Sequence, residues 1–389
     1  MPELPEVRVS RKGANRIASG HPWIFSSDVI DRGSANPGDA VRVLEAAGRC
    51  LGTAHYSSTS QITLRMLSSR AETIDAAFLR NRIAAAQKHR DRVVDSTDAY
   101  RIVFSEADHL PGLIVDRYGD YLVLQTLTQG MDRLLPEISL CLQELFSPQA
   151  LIARNDAPTR SKENLPQQVT VVQGQAPERV QIQMNGLRLW VDLLGGQKTG
   201  VFLDQRENYL AARRWAHGDA LDCFTFTGGF ALHVAACCRS VEAIDSSAAA
   251  LALAEDNRQA NSLANVSFRE ANTFDVLSSY DGAGRRFDFI VLDPPAFAKS
   301  RQHLDAAFRA YKEINLRALR LLRAGGILLS CSCSHHVLEA DLLSIVAEAA
   351  LDARKQVRIL ERRTQSLDHP VLLTVPETLY LKCLILQVL

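Results

Sequence analysis

The spacing of apolar and polar positions divides the chain into stretches of different texture. From Val7 to about Leu67 the apolar residues come in short runs: 7–9, Trp23-Ile24-Phe25, 40–44, 51–56 and 62–67. Turn formers such as Asn36-Pro37-Gly38-Asp39 and Ala47-Gly48 separate them. Several short strands in succession predict a small barrel that folds as its own unit, with Trp23 and Phe25 in its core or, as a second use, stacked on bases. Residues 74–95 carry Ile74, Phe78, Ile83 and Val93 as the apolar positions of a helix. Residues 100–127 alternate like a hairpin, 131–146 read as a helix and 150–154 as a strand. The polar, proline-bearing stretch 166–177 reads as a linker.

Past about Gln181 strands and helices alternate, the sign of a parallel sheet. The strands are expected at 187–191, 220–224, 240–244, 266–268, 289–292 and 327–329, with a closing β pair at 357–360 and 379–388. The helices are expected at 207–215, 230–238, 248–260, 306–322 and 341–353. The fold class is therefore α/β, divided into residues 1–69, 70–180 and 181–389.

Charge changes this picture little. Lys and Arg total 44 and so do Asp and Glu, so no global positive field points to nucleic acid and any such binding must be local. The helix at 74–95 concentrates Arg80, Arg82, Lys88, Arg90 and Arg92, either a solvated face or a phosphate-facing one. The eight cysteines lack the paired spacing of a zinc site, so no metal is expected. The start of the chain is no signal peptide, and no apolar run approaches the roughly 18 residues of a membrane span. These features predict a reduced, cytoplasmic protein that is not bound to a membrane. Met1-Pro2-Glu3-Leu4-Pro5-Glu6 resembles the start of the formamidopyrimidine-type DNA glycosylases, but the C-terminal region holds only Cys383 where those carry a four-cysteine finger.

The chemistry collects at strand ends. A strand with Asp222, a turn at Gly228-Gly229, a helix and then Asp245 at the tip of the next strand is a nucleotide-binding arrangement, in which the later carboxylate accepts hydrogen bonds from ribose hydroxyls. Phe224 and Phe226 stand where a pyrophosphate loop would have glycines, which suits a ligand without phosphates, such as S-adenosylmethionine. Asp293-Pro294-Pro295-Ala296-Phe297 ends another strand. Its prolines stiffen a loop whose acid and carbonyls can bond a planar heterocycle while Phe297 stacks on it. Residues 325–336 run from an apolar strand into Cys331, Ser332, Cys333, Ser334, His335 and His336.

Gly20-His21-Pro22-Trp23-Ile24-Phe25, residues 196–206, residues 222–230, residues 293–297 and Ser332-Cys333-Ser334 together resemble the bacterial 23S ribosomal RNA methyltransferase I family, across nearly the whole chain. The resemblance implies an N-terminal PUA barrel, a small α+β connecting domain and a Rossmann-like class I methyltransferase domain. It also implies S-adenosylmethionine as cofactor, 23S ribosomal RNA as partner and methylation of cytosine C5. Cys333 is then the nucleophile that adds to C6, and Asp293 bonds or protonates the ring nitrogen opposite. Asp222, Thr227 and Gly228 shape the methionine end of the cofactor, Asp245 its ribose and Asn272 its adenine, with Phe202, Phe224 and Asp293 also lining it. Lys198, Thr199, Gln205, Pro294, Pro295 and Phe297 are expected to meet the substrate. Cys331 is expected to pack, and His335 and His336 to be solvated turn residues. A homodimer is left open. Two other readings compete: a purine N-methyltransferase, which needs no thiol, and an RNA-binding ribosome-assembly factor without turnover.

Overall fold

The structure, a computed structural model, describes residues 4–196, 199–298 and 301–389, so Lys198 lies outside the described residues. The chain groups into two units. The first is Met1–Ile182, Val191–Val201 and Leu367–Thr378, and the second is Gln183–Trp190, Phe202–Ser366 and Leu379–Leu389.

The described residues of the first unit include two separate hydrophobic clusters. One lies under a six-stranded sheet of β1 (Glu6–Val9), β2 (Trp23–Phe25), β3 (Val29–Asp31), β4 (Ala40–Glu45), β5 (Cys50–Tyr56) and β6 (Ile62–Ser68), in the order β2-β6-β5-β4-β1-β3. Period-two alternation sends Val7, Val9, Val41 and Val43 inward. In β2 the same alternation buries Ile24 and leaves its neighbours half-exposed. Trp23 and Phe25 are therefore flanks of the core: the Trp23 indole donates to Glu106 Oε1 at 2.9 Å and Phe25 faces the Arg16 guanidinium. Gly52 permits the closeness of β5 and β6, since a Cβ there would lie 2.1 Å from the Ser68 carbonyl oxygen. Helix α1 (Arg11–Ala18), capped by Ser10, is an element the strand-rich reading of this region omits.

The other core lies between helices and a five-stranded sheet. Helix α2 (Ala76–Val93) is capped by Asp75, and β7 (Ala99–Phe104), β8 (Leu113–Tyr118) and β9 (Tyr121–Thr126) follow it. The expected hairpin at 100–127 thus has three strands. Helices α3 (Gln129–Arg133) and α4 (Leu135–Phe146), β10 (Ala150–Asn155) and β11 (Gln168–Gly174) complete it, in the order β11-β10-β9-β8-β7. The linker expected at 166–177 is largely the edge strand β11. It pairs antiparallel with β10 and keeps most of its side chains exposed, so it shows no apolar alternation to read.

In the second unit β14 (Asp219–Cys223), β15 (Ser240–Asp245), β16 (Val266–Glu270), β17 (Phe287–Leu292), β18 (Leu322–Ser332), β19 (Val357–Arg363) and β20 (Lys382–Val388) form one sheet. They follow a two-stranded sheet of β12 (Val180–Met184) and β13 (Leu187–Val191). The order is β16-β15-β14-β17-β18-β20-β19, with β14 to β18 parallel and β20 antiparallel to both neighbours. Helices α5 (Arg206–Trp215), α6 (Gly229–Val234), α7 (Ala248–Ala260), α8 (Thr273–Gly282), α9 (Leu304–Leu321) and α10 (Glu339–Asp352) connect the strands. The sheet is buried by Leu221, Ile244, Ile290, Leu292 and Leu328 among others. This is the expected α/β Rossmann-like architecture. The strand order reverses between β14 and β17, and a ligand crevice opens at the carboxyl ends of strands at such a point.

Candidate active site

The carboxyl end of β14 is a sharp turn built by left-handed residues. Phe224, Phe226 and Gly228 have φ of 64°, 51° and 87°, unusual for the two phenylalanines and held by the surrounding bonds. Thr225 N–H donates to the Ile244 carbonyl, and Asp222 Oδ2 accepts from Thr225 Oγ1 at 2.6 Å and from Ala231 N–H at 2.9 Å. One carboxylate oxygen thus ties the strand to the turn and to α6. The other, Oδ1, is buried without a hydrogen-bond partner. Burial pushes the Asp222 carboxyl up to about 7, with Asp293 and Asp245 adding repulsion against the two hydrogen bonds. A buried acceptor left open in this way can take a proton, or one further donor from water or a ligand.

The two glycines divide their work. Gly228 supplies the left-handed backbone, while a Cβ on Gly229 would lie 2.5 Å from the Tyr209 hydroxyl. Gly229 therefore admits Tyr209 to the core, while Gly228 shapes the turn itself. Asp245 ends β15 with Oδ2 accepting from Phe226 N–H and Oδ1 from Ser247 N–H, each at 2.9 Å. Thr227 is buried beside it in the turn, its carbonyl taking a bond from Asn257. Phe202 packs edge-on against Phe226 at 5.2 Å. Asn272 is exposed and caps α8 through Oδ1.

The Asp293-Pro294-Pro295-Ala296-Phe297 loop leaves β17 alongside this turn, with Asp293 N–H directed at the Cys223 carbonyl. Asp293 Oδ1 accepts from Gln205 Nε2 at 3.0 Å, and Gln205 Oε1 accepts from Asn208 Nδ2 at 2.7 Å. Gln205, expected to touch substrate, is buried and oriented by α5. It holds the acid from behind. Thr199 is also withdrawn from the substrate role: it is 1% exposed in the first unit, donating to Asp116 at 2.6 Å and bonded to Tyr118 at 2.9 Å. The buried Asp116 carboxylate needs such partners. Pro294 is buried and Pro295 exposed. Phe297 is half-buried within an aromatic cluster, with ring centroids 4.7 Å from Tyr311, 5.9 Å from Phe274 and 6.5 Å from Phe224.

At its carboxyl end β18 is buried to its last residue, and exposure begins only past it. Ser332 and Ser334 are fully buried and Cys333 between them is half-buried. Ser332 Oγ donates to Tyr311 Oη at 3.0 Å, Ser334 Oγ lies 3.0 Å from the same hydroxyl, and Ala298 N–H donates to Ser334 Oγ. The two serines are anchored and the cysteine between them turns the other way. Its Sγ donates to the Pro294 carbonyl at 3.9 Å, against the Asp-Pro-Pro loop. Cys331 is buried opposite Cys383 in the β18–β20 register, with burial pushing its thiol well up, so it packs as expected. His335 is exposed and His336 half-exposed.

Asp222, Phe224, Thr227, Gly228, Asp245, Asp293 and Cys333 thus share one end of the sheet of the second unit. Four residues at this end escape a reading by motif: Tyr209 behind Gly229, Phe274 in the aromatic cluster, Tyr311 under the two serines, and Lys382 opposite Ser332. A lysine opening the largely apolar β20 is the available signal. Among the described residues no group of His, Cys, Asp or Glu is placed to hold a metal ion.

Known proteins align with this architecture. Residues 7–69 match the PUA-like domain family and residues 162–385 the S-adenosylmethionine-dependent methyltransferase family. Ribosomal RNA large subunit methyltransferase I of Salmonella newport is 38% identical over 391 residues, covering 98% of this chain and 97% of the relative, and that of Salmonella typhimurium matches equally. A SAM-dependent methyltransferase of Streptococcus mutans superposes with a TM-score of 0.84 at 19% identity, covering 99% of this chain and all of the other. A methyltransferase complexed with SAH superposes at 0.86 and 20% identity, with the same coverage, and these two likenesses bear on the fold. The chain belongs to the ribosomal RNA large subunit methyltransferase I family of S-adenosylmethionine-dependent methyltransferases.

Proposed function

We propose that the protein methylates C5 of a cytosine in 23S ribosomal RNA through a covalent adduct of Cys333, and that it does so in the cytoplasm. The relatives' name supplies the RNA class. The observation that carries the chemistry is the half-exposed Cys333 between two buried, hydrogen-bonded serines, its sulfur 3.9 Å from the carbonyl of the residue after Asp293. Cytosine C5 is a poor nucleophile until a thiolate adds to C6, and sulfur combines the nucleophilicity for that addition with the leaving ability to depart.

Asp222 Oδ1, Gly228 and Asp245 would hold S-adenosylmethionine, with Phe202, Phe224, Thr227 and Asn272 around it. The open Asp222 oxygen suits a positively charged or N–H-bearing group. That cofactor supplies the methyl group when bound. Cys333 Sγ forms the bond to C6, and Asp293 hydrogen-bonds the ring nitrogen as negative charge builds there. Once C5 carries the methyl group, the C5 proton passes to solvent water, its electron pair re-forms the C5–C6 double bond, and the S–C6 bond breaks to return the thiolate. Pro294 and Pro295 fix the loop that presents Asp293, and Phe297 forms the aromatic wall beside it. For Lys198, outside the described residues, contact with the RNA is part of the proposal.

The test is methylation of unmodified 23S ribosomal RNA with labelled cofactor, followed by nucleoside mass spectrometry. The expected product is 5-methylcytidine, absent with Cys333→Ala. A methylated purine, or unchanged methylation by the alanine variant, would replace this reading with the N-methyltransferase one.

A further inference from the structure

Lys382 is 5% exposed and stands on β20 directly opposite Ser332 of β18. A buried ammonium is costly without compensation, so its partners define its purpose. Nζ donates to the Ser334 carbonyl at 2.7 Å and to the Tyr380 carbonyl at 2.8 Å. From a position opposite Ser332, the side chain thus reaches the carbonyl two residues further on. This lays its charge along the segment that presents Cys333. Two of its three donors are taken by neutral carbonyls, which do not neutralise it.

The groups facing this pair can be named. Tyr311 of α9 bonds both serines and feels the Cys333 charge, and Asp341 of α10 acts on Lys382 while accepting from Leu338 N–H. Tyr380 lends its carbonyl, and the exposed His335 ring lies 5.9 Å from the Tyr380 ring. Burial pushes the Lys382 ammonium down to about 8, and the charges of Cys333 and Asp341 oppose this. A lysine that gains from a negative Cys333 must, by reciprocity, favour that negative sulfur.

We propose that Lys382 is a positioning residue that holds Cys333 as the thiolate by its ammonium charge. This rests on the nucleophile role given to Cys333 above, but it can fail separately. The thiol proton passes from Sγ to solvent, Lys382 keeps its own three protons, and the sulfur then adds to C6 with the electron pair left behind.

The experiment is iodoacetamide alkylation of Cys333 in the full chain without RNA, followed peptide by peptide by mass spectrometry between pH 5 and 10. In the wild type the alkylation midpoint should lie at least about one pH unit below the ordinary thiol value of about 8.5. Lys382→Met should raise that midpoint and slow alkylation at pH 7 about tenfold or more, with SAH affinity retained, while Lys382→Arg stays within about threefold of wild type. In methyl transfer Lys382→Met should lower kcat with KM for RNA nearly unchanged. A wild-type midpoint at or above the ordinary thiol value overturns the proposal whatever the variants do. So does a Lys382→Met profile that coincides with the wild type. Failure of Cys333 as nucleophile would show instead as undiminished methylation by Cys333→Ala, and leaves the alkylation profile untouched.

Discussion

Gln205 Nε2 donates to Asp293 Oδ1 at 3.0 Å from a position that is itself buried, braced by Asn208, whose Nδ2 also reaches the Thr364 carbonyl at 3.0 Å. The acid of the Asp-Pro-Pro loop is therefore aimed by a buried relay of amides that starts on α5. Removing the relay should misdirect the acid without removing it. Gln205→Ala should lower kcat about 10-fold to 100-fold, as expected when a bond that aligns a reacting group is lost, with SAH affinity changed much less. Steady-state kinetics with titration calorimetry checks this, and an unchanged kcat would detach Gln205 from the site.

Asp222 gives a pH signature. Burial raises its carboxyl to about 7 in the folded, ligand-free protein, against 3.8 for an unperturbed group. The folded state therefore binds the proton more tightly than the unfolded state, and stability falls as pH rises from about 4 through about 7. A ligand that supplies a donor or cation to Oδ1 reverses the preference and expels the proton. SAH affinity should rise from pH 6 to pH 8, and the binding heat should become more exothermic in a buffer of larger ionisation enthalpy, because the buffer takes up the expelled proton. Calorimetry in two buffers at pH 6.5 measures the released proton, and buffer-independent heats would contradict the assignment.

Much of this site was readable from residue order, for definite reasons. Parallel strands buried on both faces make unbroken apolar runs, so the ends of β14, β15, β17 and β18 stand out where Asp222, Asp245, Asp293 and Cys333 interrupt them. What was hidden depends on the third dimension. Thr199 and Gln205 sit in a polar stretch that looks solvated, and only folding turns them toward the carboxylates of Asp116 and Asp293. Edge strand β11 exposes its side chains and so leaves no period to detect. Helix α1 is short and contains Gly13 and Asn15, poor helix formers that Ser10 and the packing of Ala14 offset. Lys382 belongs with Cys333 only because β20 runs antiparallel to β18, a register that no local motif encodes.

Tyr311 ties the two serines that flank Cys333 to the core. Tyr311→Phe keeps the ring tilted against Phe297 but takes one hydrogen bond from each of two buried hydroxyls, at a cost of about 1–3 kcal/mol. Urea unfolding should show that loss, and kcat should fall with KM nearly constant because the sulfur is less well placed. Full activity in a destabilised variant would limit Tyr311 to packing.

Arg90 shows that the basic helix α2 is only partly a surface. Its guanidinium is fully buried, bonded to both Asp108 oxygens at 2.5 and 2.7 Å and to the Arg101 and Asp368 carbonyls. Arg90→Ala should destabilise the first unit by about 3–5 kcal/mol because Asp108 is left without its partner. The exposed Arg92→Ala should stay within about 0.5 kcal/mol. Thermal or urea unfolding decides, and equal effects of the two would overturn the distinction.

The central claim is that Cys333 bonds covalently to a cytosine. Ribosomal RNA carrying 5-fluorocytidine blocks loss of the C5 substituent, so an adduct formed by addition at C6 cannot be released. With S-adenosylmethionine present, the wild-type protein should form a denaturation-resistant RNA conjugate, with the crosslink mapping to Cys333 by mass spectrometry. Cys333→Ala should form none. An RNA that is methylated at C5 with no conjugate, or a conjugate that persists in Cys333→Ala, would contradict the account.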